Sequence, residues 1–302
     1  MSRIYIGTAG WQYKDWNGKF YPPKLKQPPL QFYAEYFDTV EINSSFYGHI
    51  KPNVAANWCK LVSDVNPEFV FTAKLNRAFT HSPIAVIEST SAASIKPKVS
   101  DEAEAKAGLD VLASERRLGA LLMQFPISFK NTGENRDYLS ELAGRFSEYP
   151  IVVEVRHSSW DDPAVLRSFA KMGVGFCNID QPLLGKALAP SQIALGRIGY
   201  IRLHGRNYQQ WFEHEKPHDR YNYLYPAKEL EGWARRIEHV SEQAETTFVI
   251  SNNHFESKAA VNSLQLESML TKNPVEAPES LVQNYPEALG SITRESGVRF
   301  GS

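Results

Sequence analysis

Short apolar runs that end in charged or polar side chains recur along the chain. They include Glu41-Ile42-Asn43, Thr72-Ala73-Lys74, Glu154-Val155-Arg156, Asn178-Ile179-Asp180 and Arg202-Leu203-His204. Each reads as a β-strand, and a period of two sends its polar members to one face. Eight such strands are expected, at Ile4–Thr8, Val40–Asn43, Val70–Lys74, Ala120–Gln124, Ile151–Arg156, Gly175–Asp180, Tyr200–His204 and Thr247–Asn252.

Helical spacing fills most of the intervals. Pro28–Phe37, Pro52–Leu61, Asp101–Arg117, Asn135–Phe146, Pro163–Met172, Pro226–Gln243 and Ala259–Leu270 are the expected helices. Asp161 and Asp162 before Pro163 make a favourable helix start. The stretch from Asp101 to Arg117 is acidic first and basic last, which suits the helix dipole. Strand–helix alternation over the whole chain implies parallel strands joined by right-handed crossovers. Eight units in 302 residues favour an α/β fold of the (β/α)8, TIM-barrel-like kind in a single domain.

Two segments break the rhythm. Phe79–Ser100 reads as a long Ser-, Ala- and Thr-rich loop or lid. The expected division is a barrel over residues 1–271 and a C-terminal extension over 272–302, packed as an appendage or partly disordered.

Composition narrows the class of partner. The net charge of −1 argues against a broad basic surface for nucleic acid, though not against a local basic pocket. Cys59 and Cys177 are the two cysteines, both in apolar surroundings, and are expected as buried free thiols. No run approaches the roughly 20 apolar residues of a membrane span. The first residues lack the apolar core of a signal peptide, so a cytoplasmic location is expected. No glycine-rich dinucleotide turn follows the first strand, and Walker A, HExxH and GxSxG patterns are missing. The chain has no motif for a nucleotide cofactor. A divalent metal remains open.

In an α/β barrel the chemistry sits at the C-terminal ends of the strands. Strands five, six and seven are neighbours about 4.8 Å apart if their order follows the chain. Glu154, Asp180 and His204 then converge, a set that suits acid–base work or, if a metal is present, its ligation. Glu154 and His204 are the acid–base candidates, with Asp180 to orient His204 or bind a metal. Glu41 repeats the pattern on strand two. Arg156, Arg202 and Arg206 are expected to hold an anion, with Lys74 in support. A lysine at this place also suits a Schiff base or an ion pair with Glu41. The bland alternative is a salt-bridge network that merely fills a polar barrel mouth.

Longer motifs carry a resemblance. GTAGWQYKDWNGKFYP, VEINSSFY, QFP, VEVRHSSW, RLHGRN, YNYLY and NNH…AAVNS resemble the YecE-like family, domain of unknown function 72, from about Ile4 to about Leu270. The resemblance implies a TIM-barrel-like fold and no established reaction. It singles out Trp11, Glu41, Asn43, Tyr47, His81, Gln124, Glu154, Arg156, His157, Trp160, Asp180, Arg202, His204, Gly205, Arg206, Tyr223, Asn252, Asn253 and Asn262. Two positions depart from its pattern. Ser257 replaces a usual glycine, and Leu75-Asn76 replaces a usual proline after the lysine of strand three.

The leading expectation is an enzyme acting by acid–base or metal-assisted chemistry on a small anionic substrate, phosphorylated or nucleotide-like. The first rival is metal-assisted phosphoester cleavage on nucleic acid, prompted by carboxylates, histidines and exposed tryptophans. The second is a barrel that binds a metabolite without turning it over.

Overall fold

A computed structural model of the chain describes residues 2–81, 99–208 and 219–294. The eight strands are β1 (Arg3–Ala9), β2 (Thr39–Ile42), β3 (Val70–Lys74), β4 (Leu118–Gln124), β5 (Ile151–Glu154), β6 (Gly175–Asp180), β7 (Ile198–Leu203) and β8 (Thr246–Ser251). Every neighbouring pair is parallel, in chain order, and β8 closes on β1. The α/β barrel expected from the alternation is the fold.

The described helices are α1 (Pro29–Tyr33), α2 (Pro52–Ser63), α3 (Arg77–Thr80), α4 (Val99–Ser114), α5 (Gly133–Arg145), α6 (Pro163–Lys171), α7 (Ala227–Gln243), α8 (Lys258–Thr271), α9 (Glu279–Asn284) and α10 (Pro286–Leu289). Their ends follow local chemistry. Pro163 opens α6 while the Asp162 carboxylate accepts from Ala164 N at 2.7 Å. Helix α7 buries Leu230, Trp233, Ala234, Ile237 and Val240, the three-and-four spacing of an amphipathic helix. Between β6 and β7 the chain crosses without a helix.

Most of the stretch expected as a lid, residues 82–98, lies outside the described residues, as do 209–218 and 295–302. The segment after α8 packs as far as Arg294. Val275, Leu281 and Leu289 enter the main core, and the Tyr285 hydroxyl donates to Glu256 O at 2.5 Å.

The barrel interior changes character along its axis. Near the N-terminal end Tyr5 stacks on Phe248 at 5.2 Å, and Gly119 leaves room for that ring, since a Cβ there would lie 2.3 Å from it. One layer up, the Tyr200 hydroxyl lies 2.8 Å from Thr72 Oγ1 and donates to Glu41 Oε2 at 2.9 Å. Above that layer the inward side chains are ionic. Cys59 and Cys177 are buried free thiols.

Candidate active site at the barrel mouth

Four ionised groups form the floor of the mouth. Arg202, with no exposed surface, bridges two buried carboxylates. Its Nη2 reaches Glu41 Oε1 at 2.7 Å and its Nη1 reaches Glu154 Oε2 at 2.5 Å. Arg156 then binds the other Glu154 oxygen through Nε at 2.7 Å. Two carboxylates and two guanidiniums balance. Burial alone would raise the Glu154 pKa, but Arg202 and Arg156 overcome it and hold the carboxyl well below its usual range. Arg202 is held above the ordinary guanidinium value, because both carboxylates outweigh its burial.

His204 is buried beside this chain of charges. Asn252 Nδ2 lies 2.9 Å from its Nδ1, and its Nε2 faces both Glu154 Oε1 and Arg156 Nη2, each at 3.4 Å. Burial, then the nearby Arg156 charge, lowers its pKa to about 3, so the ring is neutral. Glu154 and His204 therefore meet, as expected from adjacent strands. Both have zero exposure, however, and neither stands on the cavity wall above them. Their reach is to Arg156 rather than to a ligand.

Asp180 is not the third member of that set. Ile179 pairs with Arg202 and points inward, so period-two alternation turns Asp180 to the outer face of β6. There its carboxylate accepts two bonds from Arg206 Nε and Nη2, the closest at 2.8 Å, and one from the Tyr225 hydroxyl at 2.6 Å. It neither orients His204, which Asn252 does, nor joins a metal set with Glu154. Among the described residues no three His, Cys, Asp or Glu side chains cluster as a metal site would require. Arg206 is correspondingly held by Asp180 and by Glu229 at 3.3 Å, on the outer side of the barrel wall. Arg202 is equally consumed, by Glu41 and Glu154. Gly205 permits the turn between His204 and Arg206. Its φ is +88°, its N–H donates to the Tyr225 hydroxyl at 2.8 Å, and a Cβ there would lie 2.9 Å from Tyr223 Cβ.

The mouth itself is a cavity of about 440 Å³. Asn43, Tyr47, Lys74, His81, Gln124, Arg156 and Asn252 line it, all of them named by the motifs or strand ends. Phe46 and Tyr221, from the VEINSSFY and YNYLY motifs, line it too, and Gln181 and Arg220 do so without having been singled out. Gln181 follows β6 and Arg220 lies between β7 and α7, where no periodic signal marks a residue as inward. Gln124 Oε1 accepts from Arg202 Nη1 at 3.0 Å, which fixes the side chain on the wall. The Asn76 side chain accepts from Ala78 N at 3.0 Å and caps α3, so the chain reaches His81 without the usual proline. Burial, then Arg156 and Lys74, lowers the His81 pKa to about 4.

Lys74 stands apart. It is 7% exposed, and among the described residues its Nζ has no hydrogen-bond or ion-pair partner. The group faces the Phe46 ring, 4.1 Å from its centre. Glu41, the partner weighed for it above, gives its oxygens to Arg202 and Tyr200 instead. Burial, reinforced by Arg202 and only partly offset by Glu41 and Glu154, lowers the Lys74 pKa to about 7.

A second, largely apolar cleft of about 410 Å³ adjoins the mouth and shares Asn43 and Tyr47 with it. Trp11 lines this cleft, edge-on to Trp58 with centroids 5.2 Å apart. The remaining candidates lie elsewhere. Trp160 is fully buried, and its Nε1 donates to Phe129 O at 2.6 Å. His157 Nδ1 accepts from Ser159 N at 3.1 Å, a short-helix cap. Tyr223 donates to Glu229, and Asn253 Nδ2 donates to Tyr223 O and Asn262 Oδ1, both at 2.8 Å. These are supports for the loops. Wider depressions lie beside Asp38 and Glu276, at the opposite end, the face of such barrels that serves stability rather than chemistry.

Known proteins share this architecture. The family model described as "Protein of unknown function DUF72" matches residues 5–285. The UPF0759 protein YunF of Bacillus subtilis (strain 168) is 31% identical over 278 residues, 88% of this chain and 94% of that protein. A DUF72 family crystal structure from Thermotoga maritima superposes with a TM-score of 0.76 at 31% identity, covering 89% of this chain and 99% of that one. Another from Enterococcus faecalis gives 0.74 at 23% identity, covering 91% and 100%.

Proposed function

This chain belongs to the DUF72 family, and from that premise and the geometry of the mouth we propose an enzyme that binds a small anionic substrate there and acts on it by acid–base chemistry. One observation carries the reading. The described cavity wall presents Lys74 and Arg156, and no carboxylate lines it among the described residues. The two nearby carboxylates lie beneath the wall and are matched by Arg202 and Arg156, so the proton of Lys74 adds net positive charge that an anion would complement.

The roles follow from reach. Arg156, 18% exposed and anchored by Glu154, presents the rest of its guanidinium to an anion. Lys74 and His81 both line the cavity and are the groups placed to exchange protons with a bound molecule. Glu154, His204 and Asn252 position Arg156. Glu41 and Arg202 hold the floor together. No helix among the described residues is long and apolar enough to cross a membrane.

The test is calorimetric titration with inorganic phosphate and with small carboxylates, on the wild type and on Arg156→Gln. Loss of a charge-assisted bond at a partly buried site should weaken binding about 10- to 100-fold, the equivalent of about 1.5–3 kcal/mol. Unchanged affinity in the variant, or no binding of any anion by the wild type, would remove the assignment. Stoichiometric binding of a metabolite recovered unchanged would leave the anion site and withdraw the enzyme.

A further inference from the structure

We propose that Lys74 is a nucleophile that joins its substrate covalently as an imine, and that the anions of the mouth are small 2-oxo acids. The substrate class rests on the reading of the mouth as an anion site. The nucleophile does not.

The groups facing Lys74 Nζ are Glu41 from β2, Glu154 and Arg156 from the end of β5, Arg202 from β7, and His81 after α3. All four carboxylate oxygens are occupied. Glu41 is bound by Arg202 and Tyr200, and Glu154 by Arg202 and Arg156. The floor is neutral without Lys74, so a proton on Nζ is a buried charge with no counter-ion. The Phe46 face returns part of that cost and does not replace a carboxylate.

A lysine placed only to hold an anion gains nothing from these surroundings. Its use is its charge, and here the charge is disfavoured. A nucleophilic lysine has the opposite need, an unprotonated lone pair at neutral pH, supplied by burial and neighbouring cations. With a pKa of about 7, near half of Lys74 is the free amine at pH 7. An ordinary exposed lysine is free in only about one molecule in a few thousand.

The wall supplies the remaining parts. Arg156 is placed for the carboxylate of a 2-oxo acid. Neutral His81 lines the same cavity and can relay a proton. The Nζ lone pair attacks the ketone or aldehyde carbon, forming C–N, while the C=O pair moves to oxygen and takes up a proton. The resulting carbinolamine loses its hydroxyl, protonated, as water, and nitrogen gives up a proton as C=N forms. Amine plus carbonyl yields imine plus water, with no change of oxidation state.

The experiment incubates wild-type protein at pH 7 with glyoxylate, pyruvate or 2-oxoglutarate, each with sodium cyanoborohydride. The reductant fixes any imine as a secondary amine, which peptide mass spectrometry locates. Acetone serves as the uncharged probe, and Lys74→Met and Arg156→Gln as variants. The expected result is one modified lysine, Lys74, labelled by at least one oxo acid about 10³-fold faster than exposed lysines, the ratio of their free-amine fractions. Label should be lost in Lys74→Met and slowed by Arg156→Gln for the oxo acids but not for acetone. Lys74 labelling by acetone as fast as by the oxo acids would keep the nucleophile and defeat the substrate class. Oxo acids that bind by calorimetry yet leave Lys74 unlabelled would overturn the imine while sparing the anion site. Label spread evenly over surface lysines would overturn it as well.

Discussion

Ser257 occupies the left-handed region, with φ +68° and ψ +11°, just before α8. A non-glycine residue is strained there by about 1–2 kcal/mol. Its Oγ is also buried without a hydrogen-bond partner. The usual glycine of this position thus has a physical reason, and Ser257→Gly should stabilise the fold by about 1 kcal/mol, read as a higher urea midpoint with unchanged slope. No gain would mean that the serine has a partner in solution. This strain could be suspected from the sequence because one residue departed from a long motif. The partners of Lys74 were less accessible. Strand periodicity showed that Lys74 points inward, but only atomic geometry shows that Arg202 and Tyr200 take the Glu41 oxygens first.

The strands were legible because each carries its own period. Their ends agree with the structure to within a few residues, and the helices follow where proline or an acidic cap announces them. What periodicity within one strand cannot supply is its phase relative to the barrel axis. Asn178-Ile179-Asp180 looks like Arg202-Leu203-His204, yet the register that pairs Ile179 with Arg202 turns Asp180 outward. On the outer face Asp180, Arg206, Glu229 and Tyr225 form a latch between β6, the loop after β7 and the start of α7. Arg206→Ala would leave the buried Asp180 carboxylate with the Tyr225 hydroxyl as its remaining donor. It should cost about 2 kcal/mol of stability, discounted because Arg206 is partly exposed. It should leave the affinity of the mouth for phosphate unchanged, within error of a calorimetric titration. Weakened anion binding at full stability would return Arg206 to the site.

Through the whole molecule, the buried charges make stability depend on pH. An unfolded histidine takes up its proton near pH 6.5, whereas folded His204 resists it until about pH 3. This contribution is full above pH 6.5 and is lost as pH falls towards 3, at up to about 1.4 kcal/mol per pH unit. Glu154, whose folded pKa is lowered, adds its own loss below about pH 4.3. His81 acts in the same direction as His204, over the window from 6.5 to about 4. In urea unfolding measured between pH 6.5 and 4.5, His204→Gln should reduce the slope of stability against pH by about one proton. An unaltered slope would show that the ring is charged in the folded protein.

The most direct measurement is the titration of Lys74 itself, by carbon NMR of protein labelled at lysine Cε, with Lys74→Met to assign the signal. Lys74 should titrate near pH 7, and inorganic phosphate bound in the mouth should move that value upward, because an anion favours the ammonium. A Lys74 that titrates near 10.5 and is indifferent to phosphate would contradict both the uncompensated amine and the anion site built around it.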